Sequence, residues 1–342
     1  MNKNGESWLG ILGRLESVLE RRGIPELSEL LEVLSGGIET LRNENPVIRP
    51  VGRGGSPGGL VRLKPECYYV IIPDLHGRLD FFHGVMSWTG FSGQPVISDM
   101  AEGRAQVICV GDAFHSESRG RERWQKALKE YAGGFKKHKH MDREMGENLG
   151  LLEMINLVKI TYPEHFHFLK GNHENIANEK GEGNFPFRKY AYEGEMVKHW
   201  VQNILGMEAF DLIYRWEKAL PLLAEGAGFL VTHCEPGRTL TPAEVINCYE
   251  NPDVIFNLTW IDNNQAEPGS TAGTLKSFGK DIQTGRIFGG HRPVKGYYDL
   301  RQDGLYVQIN TPNEWVIAAF GNILEFLPDK NIVCLKKEGN RG

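Results

Sequence analysis

The chain has 342 residues, a formal net charge of −5, 40% hydrophobic and 24% charged residues, a composition ordinary for a globular protein of one large α/β domain with additions or two small domains. It offers no overall basic field for nucleic acid or membrane, and no apolar run approaches the length that crosses a bilayer. Its five cysteines are scattered without a C-x-x-C pair, which argues against a disulfide framework and for a reducing compartment.

Residues 1–43 read as an N-terminal helical arm. Glu6, Arg14 and Glu16 interrupt any apolar signal core, so the expected location is cytoplasmic. Trp8, Leu9, Ile11, Leu12, Leu15, Val18 and Leu19 recur at helical spacing. A second amphipathic helix is expected from Glu26 to Leu34, stopped by Gly36-Gly37. The arm is a candidate homodimer element, and packing against the rest of the chain is the alternative for such a stripe. Residues 44–66, with Pro46, Pro50, Gly54-Gly55, Pro57, Gly58-Gly59 and Pro65, read as an irregular Gly/Pro-rich connector. No G-K-[ST] ending marks them as a phosphate loop. Residues 67–335 read as one domain with helical insertions at about 120–160 and 188–223, and 336–342 as a tail.

Within that domain, the apolar run Val70-Ile71-Ile72 ends in Asp74 and His76. Arg78 to Trp88 reads as a crossover helix with Leu79, Phe82, Val85 and Met86 inside, leading to the strand Val107–Val110 and Gly111-Asp112. Strand, helix and strand predict a parallel βαβ unit. Two helices follow, from about Gly120 to Tyr131 and about Arg143 to Ile160. Between them Lys136-Lys137-His138-Lys139-His140 is either a clamp for an anionic substrate or a solvated loop. His165-Phe166-His167-Phe168 alternates like a strand, and Gly171 permits a tight exit to Asn172, His173 and Glu174. The mostly helical stretch Arg188–Leu223 carries an apolar stripe that is core or a roof over the site. Gly228–Thr232 ends in His233, Thr241 is a candidate cap for a short helix from Pro242 to Tyr249, and Arg286–Gly290 ends in His291. The C-terminal third, Tyr306–Ile309, Trp315–Phe320 and Ile332–Leu335, reads as β-rich.

Five strand ends thus deliver Asp74 with His76, Asp112, Asn172, His233 and His291 to one rim, and in open α/β sheets ligands bind at that edge. Oxygen and imidazole donors without thiolates suit Mn, Fe or Zn, with room for water.

The ordered motifs D-x-H, G-D, G-N-H-E, a lone His and a final G-H resemble the calcineurin-like metallophosphoesterase superfamily. The G-N-H-E and the H-G after the first motif resemble its phosphoprotein-phosphatase-like branch, which includes bacterial serine/threonine phosphatases and dinucleoside tetraphosphatases. The resemblance runs from about Tyr68 to about Asn310. It implies a two-sheet β-sandwich flanked by helices, an α/β fold, with the β-rich C-terminal third supplying the second sheet. It also implies two metal ions, bridged by Asp112, with Asp74 and His76 on one and Asn172, His233 and His291 on the other. A hydroxide shared by the ions would attack a phosphate ester, with His173 as general acid.

After the second motif the branch reads G-D-x-x-D-R-G, whereas this chain reads Gly111-Asp112-Ala113-Phe114-His115-Ser116-Glu117-Ser118-Arg119-Gly120. His115 stands where the carboxylate that orients the general acid would be. If the loop bulges, Glu117 orients His173 and Arg119 binds the phosphate; otherwise His115 takes the orienting or acid role. Arg292 and Arg78 are further candidates for substrate anions, with a local ion pair as the alternative for each, and Trp260 is a candidate wall of the pocket. The resemblance implies a phosphomonoesterase acting on a phosphoprotein or a small molecule. Dinucleoside polyphosphate or pyrophosphate hydrolysis, phosphodiester hydrolysis and a catalytically silent scaffold are the alternatives. The partner expected is a phosphorylated substrate, with neither nucleic acid nor membrane.

Overall fold

The structure, a computed structural model, describes residues 7–335; residues 1–6 of the arm and the 336–342 tail lie outside the described residues. Ser7 caps α1 (Trp8–Glu20) by accepting from the Gly10 N–H at 3.2 Å. The second helix, α2 (Leu27–Arg42), does not stop at Gly36-Gly37. A Cβ at Gly37 would lie 1.8 Å from Asn156 Oδ1, so the glycines let a neighbouring helix approach rather than ending their own. The arm's apolar stripe, including Ile11, Leu15, Leu30, Leu34 and Leu41, is buried in the chain's own core.

Residues 44–66 are more ordered than their composition suggests. They contain a strand, β1 (Leu60–Arg62), and Arg49, whose guanidinium is buried against Glu44 and the Gly58 and Ala219 carbonyls. Next, β2 (Tyr68–Ile72), α3 (Leu79–Met86), α4 (Val96–Ala101) and β3 (Ala105–Cys109) form the parallel βαβ unit. Two helices follow, α5 (Arg121–Ala132) and α6 (Lys139–Thr161). The start of α6 absorbs Lys139 and His140 of the basic segment. A short β4 (Phe166–Phe168) then pairs in parallel with β3.

The second insertion consists of α7 (Glu193–Trp200) and α8 (Met207–Ala219). After β5 (Leu223–Gly226) and β6 (Phe229–Thr232), Thr241 and Glu244 form a reciprocal capping box on α9 (Pro242–Ile246). The chain continues through α10 (Pro252–Thr259), α11 (Ser270–Ser277), β7 (Arg286–Gly289), β8 (Asp299–Arg301) and β9 (Tyr306–Gln308). It closes with β10 (Val316–Phe320), α12 (Pro328–Asn331) and β11 (Ile332–Cys334).

These strands make a five-stranded sheet, β11-β10-β2-β3-β4, and a six-stranded sheet, β1-β5-β6-β7-β9-β8. The C-terminal third does not supply the second sheet by itself. Of the three runs expected there, only Tyr306–Ile309 joins it, as β9 between β7 and β8, whereas β10 pairs antiparallel with β2 and β11 with β10. The physical reason is the unpaired edge of β2, whose N–H and C=O groups need a neighbour.

Side-chain alternation divides each strand between two cores. Tyr69, Ile71, Ile108, Val231, Phe288 and Val307 fill the space between the sheets. Val70, Ile72, Val107 and Cys109 face outward and pack under the N-terminal helices, α6 and the α7–α8 insertion. The outer face of the six-stranded sheet is covered through Leu230, Ile287 and Tyr306 with side chains of α9, α10 and α11. All five cysteines are free thiols. Among the described residues no helix is long and apolar enough to cross a membrane.

Candidate metal centre

Asp74 and His76 follow β2, Asp112 follows β3, and Asn172 and His173 follow β4, all in the five-stranded sheet. His233 follows β6 and His291 follows β7, in the six-stranded sheet. The rim is therefore the seam where two sheets meet rather than the edge of one. Turning side chains back into that seam strains the backbone: His76, Asp112, His115 and His291 have φ of 46°, 57°, 65° and 67°, each costing on the order of 1–3 kcal/mol. The motif glycines make room for carboxylates. A Cβ at Gly171 would lie 2.1 Å from Asp112 Oδ1, and one at Gly290 would lie 1.9 Å from Asp74 Oδ2. The buried Glu174 carboxylate accepts from the N–H groups of Asp112, Ala113 and Gly171 at 2.9, 2.7 and 2.6 Å, clasping the second and third motif loops together.

Partner chemistry fixes the protons of three imidazoles. His233 Nδ1 lies 3.0 Å from the Val110 carbonyl and His76 Nδ1 lies 3.2 Å from that of Phe114. A carbonyl only accepts, so these nitrogens carry the hydrogens and each Nε2 presents a lone pair. His291 donates from Nε2 to Asp262 at 3.2 Å, which leaves its Nδ1 bare. Asn172 Oδ1 lies 2.9 Å from both His233 Nε2 and His291 Nδ1, and those nitrogens are 3.2 Å apart. Three lone-pair donors thus converge with no proton between them. Asp112 Oδ2 stands 3.5 Å from His233 Nε2 and 3.7 Å from His76 Nε2, and Asp74 Oδ1 is 3.9 Å from His233 Nδ1. Mutual repulsion of this kind is relieved by a cation in its midst, so the donor set fits metal ions. Potential ligand atoms of His76, Asp112 and His173, and those of Asp74, Asp112 and His233, each lie within 4.8 Å of one another. Asp112 belongs to both groups, as a bridging carboxylate must.

Burial governs the electrostatics. It pushes Asp74 up to about 7, with the Asp112 charge adding to the effect and His233 opposing it. Burial likewise lowers His76 to about 4 and His291 to about 4, the latter against its bond to Asp262. The imidazoles are thereby held in the neutral form that offers a lone pair.

The altered loop does not bulge in the way that would bring Glu117 to His173. His115 Nδ1 lies 2.8 Å from His173 Nδ1, while Glu117 is ion-paired to Lys189. His115 Nε2 is buried without a partner among the described residues. A buried bare acceptor is tolerated better than an orphaned N–H, which places the His115 hydrogen on Nδ1. His173 then accepts at Nδ1 and carries its hydrogen on Nε2, the atom 3.8 Å from Asp112 Oδ2. Phe187 covers both rings, with centroids 3.9 Å from His173 and 5.1 Å from His115.

The arginines divide. Arg78 is spent on the carbonyls of Asp74, Leu75, Thr311, Pro312 and Glu314, so it braces the first motif loop instead of facing a substrate. Arg119 is held by Glu147 and donates to the His76 carbonyl at 2.8 Å; it does not line the cavity over the site. Arg292 does line it, ion-paired to Asp262. That cavity has a volume of about 220 Å³ and is walled by Trp260 as anticipated, and by Phe187, Arg188 and Lys189, which sequence reasoning missed. Their only signal was two adjacent cations soon after G-N-H-E, at the mouth of the insertion.

No family model matches the chain, and no curated protein matches it. A protein serine/threonine phosphatase from Saccharomyces cerevisiae with similarity to human phosphatase PP5 superposes on 91% of this chain and 89% of its own, at a TM-score of 0.55 and 14% identity. A cold-active protein-tyrosine phosphatase of a psychrophilic Shewanella species covers 80% of this chain and 83% of its own, at a TM-score of 0.44 and 13% identity. The likeness to the yeast phosphatase is one of fold.

Proposed function

We propose that the chain is a metal-dependent phosphohydrolase, cleaving phosphate monoesters of a phosphoprotein or a small molecule. The observation that carries this reading is the proton-free convergence of Asn172 Oδ1, His233 Nε2 and His291 Nδ1 beside the Asp112 carboxylate. Asp74 and His76 would complete one ion's ligands and Asn172, His233 and His291 the other's, with Asp112 shared. Mn, Fe or Zn suits these donors. Ions held there would neutralise phosphate oxygens and acidify an attacking water.

The chain's own residues supply the remaining chemistry. His173 faces the cavity with its Nε2 hydrogen and protonates the leaving oxygen. His115 holds the ring by donating to its other nitrogen and is a positioning residue. Phe187 and Trp260 narrow the cavity and exclude water, while Arg188, Lys189 and Arg292 line it, the last two ion-paired to Glu117 and Asp262. The contact to phosphate expected of Arg119 passes to these three as candidates.

The test is hydrolysis of p-nitrophenyl phosphate by chelator-stripped protein before and after Mn, Fe or Zn is restored. Turnover should appear only with metal and vanish in Asp112→Ala. Protein that binds the ions yet hydrolyses no phosphate ester would be a silent scaffold, and the reading would fall.

A further inference from the structure

Beyond the metal centre, three cavities lie side by side and share lining residues. The site cavity shares Pro312 with a second, of about 400 Å³, whose lining includes Arg119 and Glu147. That one shares Leu19, Leu79 and Glu147 with a third, of about 1080 Å³. Arg22, Lys137, Lys139 and Arg143 line the third cavity; all are exposed, and none makes an ion pair among the described residues. Elsewhere along this groove Arg21 holds Glu153, Arg123 and Arg119 hold Glu147, and His138 holds Asp142, while Asp80, in the lining of the second cavity, makes no ion pair among the described residues. Unmatched cations concentrated in a concavity, on a chain of net charge −5, form a local field of sign opposite to the whole.

We infer that this groove binds an acidic segment of a phosphorylated protein substrate while the phosphate sits at the metal centre. The inference rests on the phosphohydrolase reading and narrows its substrate class from any phosphomonoester to an acidic phosphoprotein. Extent argues for a polymer over a small molecule. From Glu147, beside the His76 loop, to Lys139 at the start of α6 is eight residues of helix, roughly 12 Å, or about four residues of extended chain. Acidic residues should therefore count about four to six positions from the phosphorylated one. A protein is favoured over nucleic acid because the third cavity has Leu19, Ile24 and Leu79 in its lining and no Trp, Tyr or Phe, so it offers apolar contact and only His138 as a ring for a base to stack on.

The experiment compares two fluorescent peptides, each with a non-hydrolysable phosphonate analogue of phosphoserine, on the metal-loaded full chain by anisotropy. One carries glutamates four to six residues from the analogue, the other glutamines. Wild type should bind the glutamate peptide about tenfold more tightly at low salt, an advantage that shrinks as salt rises. Lys137→Glu/Arg143→Glu should abolish the advantage while leaving kcat/KM for p-nitrophenyl phosphate unchanged. Lys139→Gln/Arg22→Gln, a milder pair, should reduce it if the reversal variant proves unfolded by circular dichroism. Equal binding of the two peptides by wild type, or an advantage that survives both variants, would overturn the inference. So would a single-stranded oligonucleotide of equal charge that displaces the glutamate peptide and binds more tightly than it does. Absence of turnover with every metal would instead count against the phosphohydrolase reading, and the peptide comparison would still decide the groove.

Discussion

His115 and His173 meet through like nitrogens, so one ring must donate and the other accept, and the buried, unpartnered Nε2 of His115 decides which. His173→Ala should lower turnover of alkyl phosphates by roughly 10²–10⁴-fold with metal content intact, and should cost less on nitrophenyl esters, whose leaving group scarcely needs a proton. His115→Ala should reproduce part of that pattern and His115→Asn, which keeps an N–H donor, should recover some of it. Glu117→Gln should behave like wild type in the same assay; if it matched His173→Ala instead, the orienting group would be the carboxylate after all. Gly290 makes a second point at this scale. Because its Cβ would meet Asp74 Oδ2 at 1.9 Å, Gly290→Ala should bind less metal than wild type by elemental analysis, and an unchanged content would contradict the close-packed first motif loop. Asp74, His76, Asp112, Asn172, His233 and His291 were legible as letters at strand ends. Phe187, Arg188 and Lys189 were not, because a loop residue reaches the cavity through the path of the chain and not through any pattern in its neighbours.

A buried charge network joins the Gly/Pro-rich segment to α6. Glu44 Oε1 accepts from Lys159 Nζ at 2.5 Å and Oε2 from Arg49 at 2.8 Å, and Lys159 also reaches the Pro163 and Phe166 carbonyls beside β4. Burial alone would raise the Glu44 carboxyl, but Lys159 and Arg49 overcome it and hold the group down at about 2, against an ordinary 4.5. A folded-state value below the unfolded one means stabilisation that is fully present above pH 4.5 and is lost as pH falls toward 2. The loss should be on the order of 3 kcal/mol. Urea denaturation at pH 5 and pH 2.5 should show a larger drop for wild type than for Glu44→Gln; equal drops would mean that Glu44 is not the linked group. Amphipathic spacing revealed α1 and α2, yet it could not show that Gly36-Gly37 is a crossing point. A glycine pair that ends a helix and one that admits another helix look alike until the second helix is in place.

On the scale of the whole molecule, two sheets pack face to face and the chemistry collects along their shared seam, three motif loops from one and two from the other. The apolar runs identified the strands and the βαβ unit, because fully buried parallel strands read as continuous hydrophobic stretches. They could not assign β10 and β11 to the first sheet, since edge pairing depends on which partner is left uncovered. If the seam is a two-ion centre bridged by Asp112, as proposed, counting metal is its sharpest test. Protein loaded with Mn, Fe or Zn and dialysed free of excess should carry about two ions per chain by elemental analysis, and Asp112→Ala, treated identically, should lose both together. Wild type that retains no transition metal, or an Asp112→Ala variant that still holds two ions at unchanged affinity, would contradict the claim.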